Sequence, residues 1–240
     1  MKALIFDCDG VLVDTERDGH RVAFNQAFAH FGFPVEWDVP LYGELLKVAG
    51  GKERMRHYFE THGWPAAAAD DRDGFLAGLH QKKTALFTKI IASGALPLRP
   101  GIVRIVDEAI AAGIRLGVCT TSALKSVSGV LDLMGSERKS RFEFVLAGDV
   151  VSRKKPDPEI YDLAKQTLKL PADECLVIED SRNGLLAAAG AGIPCFITTS
   201  TYTQGEDFSE SIGVAPELGD PPAASVSLAD LGKLAARAAG

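Results

Sequence analysis

The stretch Leu4–Thr15, LIFDCDGVLVDT, begins as an apolar strand and breaks at Asp7 and Asp9, two carboxylates one residue apart. Residues two apart in a strand project to the same side, so both acids leave the carboxyl end of this strand together. In an open α/β sheet that edge is where ligands bind. Clustered carboxylates repel unless a proton or cation sits between them, and a hard, oxygen-preferring ion such as Mg²⁺ suits the pair. An EF-hand does not fit, because counting from Asp7 puts Leu12 where a Gly is required and Asp18 where the bidentate Glu belongs. A solvated turn with incidental acids explains the fragment equally well by itself, and the rest of the chain has to decide.

Working outward, short apolar runs predict strands at 3–6 (ALIF), 115–120 (RLGVCT), 142–148 (FEFVLAG), 175–180 (CLVIED) and 194–198 (PCFIT), separated mostly by helix-length segments at 102–113, 123–135, 158–170 and 183–192. Continuous apolar strands alternating with helices indicate an α/β fold, a doubly wound, Rossmann-like parallel sheet covered on both faces. Residues 16–97 carry helical patterns (HRVAFNQAFAHFG, GELLKVAGGKERMRHYFETHG, DGFLAGLHQKKTALFTKIIASG) and no strand, which reads as a helical insertion leaving at Pro97 and Pro100-Gly101. The Ala-, Gly- and Pro-rich tail, 214–240, is expected to add a last short strand and helix.

Composition narrows the function. The 240 residues are 46% hydrophobic and 24% charged, the balance of an ordinary globular protein. A net charge of -6 and a pI near 5.4 give no nucleic-acid footprint. Cysteines 8, 119, 175 and 195 form no CxxC pair and lie in or beside apolar runs, so buried free thiols in a reducing cytosol are expected. No apolar run approaches the roughly 18 residues of a membrane span, and no secretory leader pattern opens the chain. A cytoplasmic enzyme or binding protein remains.

Four short patterns then fall in order at predicted strand ends: DCDGVLVDT, Thr120 in LGVCTT, Lys155 in KKPDPEIY, and Glu179-Asp180 in LVIEDSRNG. Together, across some 170 residues, they resemble the four motifs of haloacid dehalogenase-like phosphatases. The resemblance covers the whole chain and implies a core at 1–15 and 98–240 with a helical cap at 16–97. Separately, each residue has a plainer reading: Thr120 and Asp180 also suit helix caps, Thr121 or Ser122 can take the first of these caps, and Lys154 beside Lys155 leaves a one-residue ambiguity that the K-P-x-P pattern resolves toward Lys155.

The resemblance gives each matched residue a role. Asp7 is the implied nucleophile, forming an aspartyl phosphate; Asp9 is general acid, then general base. Mg²⁺ would be held by the Asp7 carboxylate, the Asp9 carbonyl and the Asp180 carboxylate, with Glu179 orienting that shell. Lys155 and Thr120 would face the transferring phosphoryl group, with Thr121 and Ser122 as further substrate contacts at the same strand end.

Caps of this kind open for substrate and close to exclude water. Residues just after the first motif should therefore face the cleft, with Glu16 and His20 as candidates for sugar hydroxyls. In the insertion, Tyr42, Lys47, the Gly50-Gly51 turn and Lys52 are candidate substrate readers, ahead of Arg54 and Arg56; Gln81, Lys82 and Lys83 form a weaker set. Arg153 and Lys154 follow a strand and lie on the active edge, whereas Arg138, Lys139 and Arg141 precede it and are expected on the far edge.

Within the family the resemblance is to the CbbY-type subgroup. It implies a monomeric sugar-bisphosphate phosphatase, acting on xylulose 1,5-bisphosphate, an inhibitor of Rubisco. The related β-phosphoglucomutase pattern places a His four residues after the motif-one Thr. Here that position is Gly19, and His20 stands one later, which on a regular helix turns the side chain by about 100° and counts against a mutase. A non-catalytic phosphosugar-binding regulator would be missing a nucleophile or metal ligand, and none is missing; Asp9 and the acidic fourth motif disfavour a dehalogenase.

Overall fold

A computed structural model describes residues 1–223 and 226–238. Six parallel strands form one sheet in the order β3-β2-β1-β4-β5-β6: β1 (Ala3–Phe6), β2 (Arg115–Thr120), β3 (Phe142–Ala147), β4 (Cys175–Glu179), β5 (Cys195–Thr198) and β6 (Gly213–Ala215). β1 lies in the middle, with Phe6 in register with Val118 on one side and Ile178 on the other. The predicted strands therefore all form.

Period-two alternation divides the buried side chains between two faces. Leu4 and Phe6 join one cluster with Ile105, Val127 and Leu231. Ala3 and Ile5 join the other with Tyr161, Leu168 and Leu185. Three helices supply the first of these layers: α5 (Ile102–Ala111), α6 (Leu124–Asp132) and the terminal α10 (Leu228–Ala238); α8 (Glu159–Leu168) and α9 (Arg182–Gly190) supply the second. A short turn of helix, α7 (Ser136–Lys139), precedes β3. The tail expected over 214–240 supplies β6 and α10, while 224–225 and 239–240 lie outside the described residues.

Between β1 and β2 the chain is helical: α1 (Arg21–His30), α2 (Val39–Leu45), α3 (Gly51–His62) and α4 (Arg72–Ala92). These helices bury an aromatic-rich core of their own, including Phe24, Phe28, Trp37, Tyr42 and Phe59. The helical pattern over 43–63 is broken in two at Gly50, whose φ of +92° favours glycine and starts α3 afresh. That break points the N-terminus of α3 at the cleft above the sheet.

Candidate active site

The strand order brings the four motifs together. Asp7 follows β1, Thr120 ends β2, Lys155 follows β3 and Glu179 ends β4, and these are four adjacent strands. Lys155, 6% exposed, donates to Asp7 Oδ1 at 2.6 Å, Glu179 Oε1 at 2.5 Å and the Cys119 carbonyl at 2.9 Å. Of the two neighbouring lysines, Lys155 is the one brought to Asp7, while Lys154 turns instead to Glu53 and Asp149. Glu179 Oε1 also accepts the Tyr161 hydroxyl at 2.6 Å, and an added Cβ at Gly184 would stand 1.9 Å from the Glu179 carboxyl carbon. Tyr161 carries no motif signal in the sequence because, as the third residue of α8, it reads only as part of the apolar face.

Burial pushes the Asp7 carboxyl well above the usual carboxylate range; Lys155 opposes this, while Glu179 and Asp9 add to it. Asp180 is raised for the same reasons, burial first and then Glu179 and Asp7. Burial alone would lower the Lys155 ammonium, but Asp7 and Glu179 outweigh it and hold it charged. Asp7, Glu179 and Asp180 each offer an oxygen within 4.8 Å of the others'. Three buried carboxylates served by one ammonium are an excess of negative charge, and an all-oxygen donor set is what a hard divalent cation takes. The residues present therefore fit the implied Mg²⁺. Gly10, at φ +82°, leaves room for this arrangement, since a Cβ there would stand 2.0 Å from Asp180 Oδ2.

The Asp9 side chain faces away from that cluster. It accepts from Thr15 Oγ1 at 2.6 Å, pairs with His20 Nε2 at 2.7 Å and accepts from Ser122 Oγ. Burial alone would raise its carboxyl, but His20 and these hydrogen bonds outweigh it and hold it well below the usual range. The expectation that the one-residue shift swings His20 away is overturned. Glu16–His20 forms a wide π-type turn in which the His20 N–H reaches back five residues to the Thr15 carbonyl, and the wider turn absorbs the extra residue. Behind it, Lys83 Nζ lies 2.7 Å from His20 Nδ1, and the imidazole stacks on Phe87.

A cavity of about 720 Å³ opens above these groups. Its sheet side carries Asp7, Asp9, Thr120, Thr121, Ser122, Lys155 and Asp180; its insertion side carries Glu16, His20, Lys47, Gly51, Arg54 and Lys83. Thr120 is buried, and its oxygen accepts from the Ser122 N–H at 3.1 Å, a local turn at the end of β2 rather than a helix cap, since α6 starts from Ala123 with no side-chain cap. Tyr42 is fully buried behind the wall and donates to Glu16 Oε2 at 2.5 Å, while Arg54 Nη1 donates to the Tyr42 hydroxyl at 2.8 Å.

Among the cations, the expected order changes. Lys47 lines the cavity, but its side chain is 72% exposed and paired with Glu44. Lys52 pairs with Asp149 and lines a smaller adjoining hollow. Arg153, expected at the substrate, is exposed and paired with Asp157 and Glu159, and is absent from the cavity wall because the loop after β3 turns it outward. On the insertion side of the cavity, the buried cations among the described residues are Arg54 and Lys83. In sequence both sit in charged stretches that read as solvated helix faces, and only the aromatic residues around them mark those faces as covered. Arg138 pairs with Asp107 at the surface.

A buried acidic cluster on a central ammonium, at the carboxyl edge of a doubly wound sheet, is the arrangement of a phosphoryl-transfer enzyme. Residues 1–192 match the model of the haloacid dehalogenase-like hydrolases, and the chain belongs to that family. Within it the chain is a phosphatase whose relatives are CbbY proteins. It is 51% identical to a CBBY-like protein of Arabidopsis thaliana over 97% of this chain and 74% of that one. To the plasmid-encoded CbbY of Cupriavidus necator it is 41% identical over 98% and 96%. The crystal structure of CbbY from Rhodobacter sphaeroides, solved with phosphate and, as a variant, with xylulose 1,5-bisphosphate, superposes with a TM-score of 0.87 at 38% identity, covering 96% of this chain and 99% of that one.

Proposed function

We propose that the protein is a Mg²⁺-dependent phosphatase that hydrolyses a sugar bisphosphate, with xylulose 1,5-bisphosphate as its substrate. The observation that carries this reading is the pairing of cationic groups in one cavity: Lys155 beside Asp7 on the sheet side, Arg54 and Lys83 on the insertion side. A bisphosphate has an anion for each. The likeness to a CbbY whose variant binds xylulose 1,5-bisphosphate supports the same substrate.

On this reading Asp7 attacks phosphorus, the bond from phosphorus to the sugar oxygen breaks, and Asp9 gives that oxygen its proton. Water then attacks the phosphorus of the aspartyl phosphate, Asp9 takes the water proton, and Asp7 is released as the leaving carboxylate. His20, which shares Asp9 Oδ1, is the neighbour able to hand Asp9 its proton for the first step. Lys155 holds Asp7 in place and balances charge on the transferring group. Asp7, Asp180 and the Asp9 carbonyl would hold Mg²⁺, whose chemistry is to screen the nucleophile from the phosphate and neutralise charge as it moves. Glu179, tied to Lys155 and Tyr161, fixes the surroundings of that set. Helices α1–α4, over 16–97, act as the cap that excludes water during the reaction.

The protein so read works as a cytoplasmic monomer that removes an inhibitor of Rubisco. The test is phosphate release, with and without Mg²⁺, from sugar mono- and bisphosphates including xylulose and ribulose 1,5-bisphosphate. Selective Mg²⁺-dependent release from the xylulose compound supports the proposal, and no release from any sugar bisphosphate sinks it. One observation favours a second reading: His20 does reach Asp9, as a mutase pattern would need. Conversion of β-glucose 1-phosphate to glucose 6-phosphate without net phosphate release would establish that reading instead.

A further inference from the structure

The segment after β5 brings to the cavity a residue that none of the motifs includes. Tyr202 lines the wall and stands against the insertion: a Cβ added at Gly43 of α2 would lie 3.2 Å from its ring. Its ring is 6.0 Å from that of Tyr42 at 63°, an edge-on contact. On its other sides Tyr42 packs against Phe24 and Trp37 of the insertion, so Tyr202 is the wall that the sheet side contributes to the Tyr42 pocket.

Tyr42 is the hub of a polar group on the insertion side of the cavity, because its hydroxyl joins Glu16 to Arg54. Anything that lets Tyr42 shift misplaces both. The Tyr202 segment is itself tied to the catalytic half of the chain. Asp14 Oδ2 accepts from the Thr201 N–H at 3.0 Å and from its hydroxyl. Arg182, three residues after Glu179, holds the Asp207 carbonyl and the Glu210 carboxylate. Among the described residues the Tyr202 hydroxyl, in contrast, is buried with no hydrogen-bond partner, so the contact resides in the ring.

We propose that Tyr202 is a positioning residue: its ring, seated on Gly43 and Tyr42 across the junction between sheet and insertion, holds Glu16 toward the sugar and Arg54 toward the second phosphate, and so sets selectivity for sugar phosphates. This rests on the sugar-phosphate reading above. Its signature is a change in the ratio of kcat/KM for xylulose 1,5-bisphosphate to that for p-nitrophenyl phosphate, which has no sugar for Glu16 to read.

Tyr202→Ala is expected to lower that ratio about tenfold, chiefly through KM for the sugar bisphosphate, the size expected when a hydrogen-bonding group is displaced. Tyr202→Phe keeps the ring, so it should hold the ratio within about twofold and raise the melting temperature by removing an unpartnered buried hydroxyl. Gly43→Ala presses on the ring from the other side and should lower the ratio as Tyr202→Ala does, giving an independent variant should Tyr202→Ala fold poorly. The proposal is overturned if both Ala variants keep the parent ratio, if both lose activity equally on the two substrates, or if Tyr202→Phe loses as much as Tyr202→Ala. A parent enzyme that cleaves p-nitrophenyl phosphate but no sugar phosphate overturns the functional reading and this inference together, whereas a sugar-phosphate-active parent with unselective variants overturns this inference alone.

Discussion

The Lys155 ammonium reaches Asp7 at 2.6 Å while also holding Glu179, so the residue proposed to attack phosphate and the buried acid behind it depend on one cation. Removing that cation leaves charge in the core with no compensation. Lys155→Met is therefore expected to destabilise the fold by about 3–5 kcal/mol, the usual result of breaking a buried pair from one side. Asp7→Asn should leave the fold intact and abolish phosphate release. Paired denaturant melts and phosphate assays check both; an active, folded Asp7→Asn enzyme would refute the nucleophile.

Mg²⁺ should act on stability as well as on turnover. A cation entering among Asp7, Glu179 and Asp180 relieves repulsion in the folded chain only, so the melting temperature should climb with its concentration, by the equivalent of about 2.7 kcal/mol at a hundred times Kd. Asp180→Asn should abolish the rise and, by removing one of the crowded acids, melt higher than the parent in EDTA. Thermal melts across a Mg²⁺ series, with no substrate present, decide this.

Lys83 gives a pH-dependent prediction. Burial lowers its ammonium from 10.5 to about 8, so the folded chain holds this proton less tightly than the unfolded one. The resulting destabilisation is complete below about pH 8 and is relieved as pH rises toward 10.5, and its size is roughly 3 kcal/mol. Lys83→Met should therefore melt above the parent at pH 7, with the gap closing between pH 8 and 10.5. The same variant should bind sugar bisphosphate more weakly, a trade of stability for function. A gap that stays constant with pH would mean that the lysine is not the source.

Four charges bridge the inserted helices and the loop after β3: Lys52 to Asp149 and Glu53 to Lys154, with Lys154 and Asp149 themselves 3.1 Å apart. Pairs this accessible contribute about 0.2–1 kcal/mol each, enough to bias closure of the cleft. Reversing either Glu53 or Lys154 should change kcat/KM about threefold, and the double swap, Glu53→Lys with Lys154→Glu, should recover most of it. High salt should blunt all three effects. Steady-state kinetics at low and high ionic strength measure this, and a double swap no better than its parts would exclude the pairing.

Much of this was legible in the chain. The strands announced themselves as continuous apolar runs, and each motif follows one of them, so sheet order alone gathers Asp7, Thr120, Lys155 and Glu179. What stayed hidden depends on context that a linear pattern does not carry. The turn at Glu16–His20 departs from the regular 3.6-residue period, and rotating His20 by that period gave the wrong direction. Arg54 and Lys83 look like surface charges until Phe24, Phe87 and Tyr42 close around them. Tyr202 lies in a segment with no periodicity at all, and its partners are about 160 residues away.

The placement of β1 at the centre of the sheet, between β2 and β4, has a consequence for how the chain is made. Asp7 leaves the ribosome 148 residues before its partner Lys155 and 172 before Glu179. Throughout that interval the nascent chain carries the carboxylate proposed to attack phosphate without the ammonium or the acid that complete its surroundings. Phosphatase activity is then expected to arise only once β4 has been made, and a truncation before β4 is expected to give an inert chain rather than a partially selective enzyme.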